Sequence, residues 1–123
     1  LTPALAALLL DQGNYADADI AYQELATQAG GALAGRLGRV EALIGLSRQA
    51  DAQVQLDAVP EPQRNLAAYR ETAARLALAR GKPGDALSLL RPLVEEQTKR
   101  PALLALYGDA LSAWRFATRL PSA

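Results

Sequence analysis

The chain contains no histidine and no cysteine among its 123 residues. Their absence removes the commonest general base, the usual zinc ligands, disulfides, and every nucleophile that histidine would activate. Catalysis would have to rely on carboxylates or lysine alone, so the composition disfavours an enzyme. We therefore predict no catalytic residue, no cofactor and no metal site.

The chain also lacks an excess of either charge. Thirteen basic side chains balance thirteen acidic ones, and the isoelectric point is about 6.5. Nucleic acids and anionic membranes are bound through clustered positive charge, so neither is an expected partner. Half of the residues are apolar, and alanine, leucine and arginine dominate, which is typical of packed helices.

No basic-then-apolar leader occurs, and no apolar run approaches the roughly 18 residues of a membrane span. The chain begins at Leu1 without a methionine. We therefore expect a segment of a longer protein, without direct membrane insertion. The residues themselves favour no compartment.

What the chain does have is a three-residue pattern repeated at one fixed interval. A turn-forming residue is followed four positions later by Asp-Ala, and the pattern recurs every 34 residues. Its copies are Gly13, Asp17, Ala18; Ser47, Asp51, Ala52; and Gly81, Asp85, Ala86. A period of about 20 to 50 residues indicates a stack of one supersecondary unit.

Apolar spacing predicts seven helices separated by turns that glycine, asparagine and proline mark. Pro92 is expected to bend the sixth helix or shift its start. The predicted helices cover about 3–12, 16–29, 33–46, 49–58 and 63–80, then one from near 85 and one opened by Pro101.

Small side chains recur where the two helices of a unit would touch. They lie at Ala18, Ala52 and Ala86 on the second helices, and at Ala6, Val40, Ala74 and Gly108 on the first helices. The larger side chains of Tyr22, Leu56 and Leu90 are expected to fill the space between consecutive units.

Two stretches resemble the tetratricopeptide repeat family. Residues 12–18 match its turn and the start of its second helix, and residues 103–111 match its first-helix signature. The resemblance implies an all-α, right-handed α-solenoid of antiparallel helix hairpins, with about three and a half units. The units would span about 1–32, 33–66, 67–100 and, in part, 101–123. The family's early aromatic residue is replaced by Thr2, Arg36 and Arg70.

Two features invite an active-site or nucleotide-site interpretation, and each has a simpler structural one. Glu95 and Glu96 are adjacent, but neighbours on a helix point about 100° apart and cannot flank one bond. The glycine-rich stretch 30–38 follows a helix and lacks the lysine of a phosphate loop. We expect its first glycines to form a turn, and Gly35 and Gly38 to allow close helix packing.

In this family the first helices line a concave groove. The register puts Glu41, Arg75 and Asp109 in one row there, with Glu71 one turn before Arg75. This row is either a charged strip that selects a partner or a series of inter-repeat salt bridges, each worth about 0–1 kcal/mol. An apolar row of Leu10, Ile44 and Leu78 runs beside it. The candidate partner-binding residues are Glu41, Ile44, Glu71, Arg75, Leu78 and Asp109.

Some members of the family grip a peptide's C-terminal carboxylate with lysine, arginine and asparagine at fixed groove positions. Pro3, Ala7, Leu37 and Glu41 occupy those positions here. A carboxylate clamp is therefore not expected.

Trp114 and Phe116 follow the last recognisable helix and are candidates for an end-face contact. They either pack back as a local cap or mark a seam where a further unit docks. An uncovered end face would also allow self-association of the chain.

The sequence thus predicts a non-enzymatic protein-protein interaction scaffold, with a structural spacer or self-assembly segment as the alternative. The composition also resembles the periplasmic repeat region of Pel-type exopolysaccharide outer-membrane export proteins. That resemblance implies a periplasmic location and recruitment of a polysaccharide-modifying enzyme, and a cytoplasmic location stays open.

Overall fold

The computed structural model describes residues 2–96 and 99–119, which form α-helices and turns without a strand. The predicted all-α class is confirmed for these residues. The helices are α1 (Pro3–Asp11), α2 (Tyr15–Ala26), α3 (Ala32–Gly45), α4 (Gln49–Asp57), α5 (Ala67–Ala79), α6 (Pro83–Glu96) and α7 (Pro101–Arg119), with a short 3₁₀ helix at Glu61–Gln63.

Helices α1, α3 and α5 end in the same backbone turn. Gly13, Ser47 and Gly81 adopt the left-handed conformation, with φ of 76°, 60° and 73°. In each turn this residue's N–H donates to the carbonyl three residues earlier, and the next N–H donates to the carbonyl five residues earlier. This Schellman pattern satisfies carbonyl groups that a helix end leaves free. The 34-residue spacing in the sequence therefore marks one turn made three times.

The packing follows the chain order. Consecutive helices contact each other, and each odd-numbered helix also contacts the next odd-numbered helix. The short turns after α1, α3 and α5 reverse the chain, so each of these helices forms a hairpin with the helix that follows. The odd-numbered helices are thus neighbours of one another as well as of the helices between them.

The small residues predicted at the hairpin contacts are buried, with one exception. Fully or almost fully buried are Ala18, Ala52 and Ala86 on the second helices, and Ala6, Val40 and Ala74 on the first helices. Gly108 is exposed instead, and nothing lies within 4 Å of where its Cβ would be. The prediction for Gly108 was wrong because α7 has no second helix of its own among the described residues.

The segment between α4 and α5 differs from the prediction. Helix α5 begins at Ala67 rather than near residue 63, because Pro60 and the 3₁₀ turn intervene. The Arg64 guanidinium donates to the carbonyls of Asp57 and Val59, at 3.0 Å each, and so caps the end of α4. Arg64 lies outside both helices and thus bonds the end of α4 to the segment that leads to α5.

Helix α6 runs from Pro83 to Glu96 without a break, although Pro92 lies inside it. Proline has no N–H, so the Ser88 carbonyl loses its helical donor. Arg70 of α5 donates to the neighbouring Leu89 carbonyl at 3.4 Å. A side chain of the preceding helix therefore supplies a donor beside the proline.

Helix α7 is longer than the sequence pattern indicated. It continues to Arg119, so Trp114 and Phe116 lie within the helix rather than after it. At the opposite end of the chain, Leu5 and Leu8 of α1 are about half exposed.

Candidate binding groove

A groove of about 360 Å³ opens across α1, α3 and α5. Its wall carries an alanine from each of these helices, Ala7, Ala34 and Ala68, of which the last two stand one repeat period apart. All three alanines are exposed. Small side chains leave backbone-level space along the groove, which a bound chain can enter.

The four positions considered in the sequence for a carboxylate clamp also line this groove. They are Pro3, Ala7, Leu37 and Glu41. Their side chains offer no cation for a terminal carboxylate.

A side chain of α2 reaches the groove at the point where α3 has no side chain. Gly38 has no side chain, and a Cβ added there would overlap the Tyr22 ring. Tyr22 therefore lies against the α3 backbone and lines the groove together with the α3 residues. Gly35 meets the α2 backbone at Ala26 in the same close manner, so the predicted role of Gly35 and Gly38 in close helix packing is confirmed.

The charged row predicted along the groove forms in part. The Arg75 guanidinium donates to the Glu41 carboxylate, joining α5 to α3 across one repeat period. Asp109, the third predicted member, is exposed on α7. The Glu41–Arg75 contact is an inter-repeat salt bridge between partly exposed groups, which stabilises by at most about 1 kcal/mol.

Glu71 does not share Arg75 with Glu41. Its carboxylate is 13% exposed and forms an ion pair with Arg100, which lies just before α7. A further pair, Arg39 with Asp19 at 2.8 Å, links α3 to α2. The charges beside the groove are thus largely matched within the chain.

The predicted apolar row is half-buried. Leu10, Ile44 and Leu78 pack against three different core clusters. Part of each side chain therefore packs in a core cluster, and the rest of the side chain is accessible at the surface.

Burial raises the pKa of the Tyr22 phenol above its usual value near 10, and the carboxylates of Glu41 and Asp11 raise it further. All three causes disfavour the phenolate. Tyr22 thus presents a neutral hydroxyl, which can both donate and accept a hydrogen bond.

The end face contains a smaller cavity of about 290 Å³ between α6 and α7. Trp114 lines it opposite Gly84 and is 44% exposed, whereas Phe116 is 68% exposed. Trp114 therefore packs back on α6 in part, and Phe116 stays open to solvent. The local-cap interpretation fits Trp114 in part, and the docking seam stays a prediction.

Sequence reasoning missed Tyr22 and Thr72 as groove residues. The signal was present, since Gly38 and Thr72 are 34 residues apart and Tyr22 faces the position that Gly38 leaves empty. The repeat pattern places Tyr22 only in the space between units, because residues of second helices are not expected at the groove.

Comparison with known proteins adds no family: no family model, curated protein or solved structure matches the chain. In the described part of the chain, no group of carboxylates is placed to hold a metal ion. None of the helices there combines the length and apolar content needed to cross a lipid bilayer.

Proposed function

We propose that this chain is a non-enzymatic protein-interaction scaffold. Its helix hairpins would form a right-handed α-solenoid of the tetratricopeptide type, with the partner polypeptide held in the groove of α1, α3 and α5. The support for the solenoid is the turn repeated at Gly13, Ser47 and Gly81, together with the contacts between successive odd-numbered helices. In such stacks each unit contacts its neighbours and the row of first helices forms an extended binding surface.

The observation that carries the proposed function is the alanine-lined groove. Ala34 and Ala68 stand at equivalent positions on neighbouring first helices, and both are exposed. Exposed alanines in a concave surface leave room for another chain while larger side chains would close it. Neither residue is needed for the core, so the small size is better explained by what the groove accepts.

The test is capture of a protein partner by the purified chain, compared between variants. Ala68→Glu and Arg75→Glu place a negative charge in the groove, and Ala50→Glu places the same charge on the exposed face of α4. We expect the two groove variants to lose the partner and the α4 variant to retain it, with circular dichroism showing that all three remain helical. Equal capture by all variants would contradict binding in the groove.

A structural spacer or self-assembly segment is the second candidate. The observation that favours it is the pairing of Glu41 with Arg75 and of Glu71 with Arg100, which leaves few charges for an external partner. Exposed Trp114 and Phe116 would then mediate contacts between copies. Light scattering separates the two candidates, because self-assembly through this face predicts a larger species that Trp114→Ala returns to a monomer.

The placement in a periplasmic export system remains a narrower proposal that rests on the resemblance of the composition. In that setting the groove would recruit a polysaccharide-modifying enzyme to an export pore. The complete gene tests it: a signal peptide and a C-terminal outer-membrane barrel pattern support the proposal, and a cytosolic protein with neither contradicts it.

A further inference from the structure

A cavity of about 470 Å³ lies between α4 and α6, over a different face of α5 from the groove described above. The apolar part of its wall comes from Leu56, Tyr69, Ala73, Ala77 and Leu89. A cavity of this volume is large enough to hold a small molecule.

The preceding repeat carries larger side chains at two of these positions. One period earlier, the places of Ala73 and Ala77 are taken by Arg39 and Leu43. The Arg39 side chain is only 24% exposed and forms an ion pair with Asp19 at 2.8 Å. Two alanines thus replace larger side chains along α5, which leaves room beside this helix.

The polar part of the wall contains a cation and an anion joined through one amide group. The Arg80 guanidinium donates to the side-chain oxygen of Gln53 at 3.0 Å, and the nitrogen of that amide donates to the Asp57 carboxylate at 2.8 Å. Two hydrogen bonds and one amide group separate the bonded atoms of Arg80 and Asp57, so these atoms are at most about 8 Å apart. The guanidinium keeps further N–H donors and the carboxylate keeps further lone pairs, which a ligand can use.

The charges at this cavity form no ion pair within the described residues, in contrast to those of the preceding repeat. Arg48 pairs with Asp51 at 2.7 Å, whereas Lys82 and Asp85, which stand at the equivalent positions and line the cavity, do not pair. Together with Arg80 and Asp57, they give the cavity two cations and two anions. An ion of one sign would meet both attraction and repulsion there, whereas a ligand with both charges can match both.

We propose that the cavity between α4 and α6 binds a small, elongated zwitterion, with a carboxylate and an ammonium group at opposite ends of an apolar chain. Arg80 and Lys82 bind the carboxylate, Asp57 binds the ammonium group, and the apolar chain lies against Ala73 and Ala77. This site shares no residue with the groove and goes beyond the proposed scaffold function.

The separation of the charges selects the length of the ligand. The nitrogen and the carboxylate carbon of a free α-amino acid are about 2.5 Å apart, which is too short to reach both Arg80 and Asp57. The same two atoms of an extended 6-aminohexanoate are about 7–8 Å apart. This length agrees with the distance that the Gln53 amide sets between the two charges.

The experiment is an NMR titration of the isotope-labelled chain with 6-aminohexanoate. Hexanoate and hexylammonium each lack one of the two charges, and leucine carries both charges too close together. Arg80→Gln and Asp57→Asn each remove one charge of the site, and Ala77→Leu places the larger residue of the preceding repeat in the cavity. Arg48→Gln and Asp51→Asn are the matched controls, because they make the same changes at an exposed ion pair outside the cavity.

We expect 6-aminohexanoate to shift the amide signals of Ala73 and Ala77 and to bind at least about 10-fold more tightly than the three other compounds. Arg80→Gln and Asp57→Asn should each weaken binding about 5- to 20-fold, and Ala77→Leu should abolish it. The two controls should stay within about twofold of the wild type. Circular dichroism shows whether each variant remains helical, and the comparison of ligands on the wild-type chain needs no variant.

Three results would overturn the inference. The first is no saturable binding of 6-aminohexanoate up to about 10 mM. The second is equally tight binding of hexanoate or hexylammonium, because only one charge would then be recognised. The third is unchanged binding to the Ala77→Leu chain, which would place the ligand elsewhere. None of these results bears on the groove of α1, α3 and α5, whose function is decided by partner capture.

Discussion

At the residue scale, the groove is shaped by a large side chain on α2, Tyr22, that packs where α3 has no side chain, at Gly38. Tyr22 is larger than Leu56 and Leu90 at the equivalent positions, and Gly38 is smaller than Thr72 at its own. The large ring fits because the facing residue has no side chain. Interiors are packed closely enough that one extra methyl group in such a contact has a measurable effect.

Replacing Gly38 with alanine should therefore lower the free energy of unfolding. Alanine normally stabilises a helix relative to glycine by about 0.5–1 kcal/mol, but overlap with the Tyr22 ring should cost about 1–3 kcal/mol and prevail. Gly108→Ala is the control, since open space surrounds it, and it should stabilise. Urea unfolding of both variants measures the difference, and a Gly38→Ala chain as stable as the Gly108→Ala chain would contradict the packing described.

Tyr22 should also make the stability depend on alkaline pH. Its pKa is raised in the folded chain, first by burial, whereas the unfolded chain ionises near pH 10. The unfolded state thus binds fewer protons there, so this contribution is complete below about pH 10 and is lost as pH rises through the higher folded value. Urea unfolding at pH 8 and above pH 10 should show a smaller alkaline loss for Tyr22→Phe. Parallel losses in both chains would contradict the assignment.

At the element scale, one turn recurs with two different residues. Gly13 and Gly81 adopt the left-handed conformation without a steric penalty, whereas Ser47 carries a Cβ in the same conformation. The Schellman bonds are nonetheless formed in all three turns. The bonds and the packing of the hairpin therefore hold Ser47 in place.

Ser47→Gly should raise the free energy of unfolding by about 0.5–1 kcal/mol, because relief of left-handed strain exceeds the extra flexibility of the unfolded chain. The reverse change, Gly81→Ser, should lower it by a similar amount. Thermal or urea unfolding of the pair measures both effects. Destabilisation by Ser47→Gly would show that the serine side chain contributes to the turn in some other way.

At the scale of the whole molecule, the sequence predicted what depends on local patterns and on the register. The turns at Gly13 and Gly81, the buried alanines and the Glu41–Arg75 neighbourhood all follow from the 34-residue period. The predictions that failed concern contacts that residues from other parts of the chain supply. Arg64 caps α4 and precedes the later start of α5, Arg100 forms the ion pair with Glu71, and no second helix covers Gly108 among the described residues. The position of Tyr22 at the groove could not be predicted either, because it depends on the space that Gly38 leaves in the folded chain.

Site-specific photo-crosslinking in the source organism would show whether a partner polypeptide lies in the groove. A photoreactive amino acid would be placed at Ala34 and at Ala68 in the groove, and at Ala50 on the exposed face of α4. If the partner lies there, we expect one common crosslinked partner from the two groove positions and none from Ala50. Crosslinks from Ala50 alone, or from all three positions equally, would contradict it.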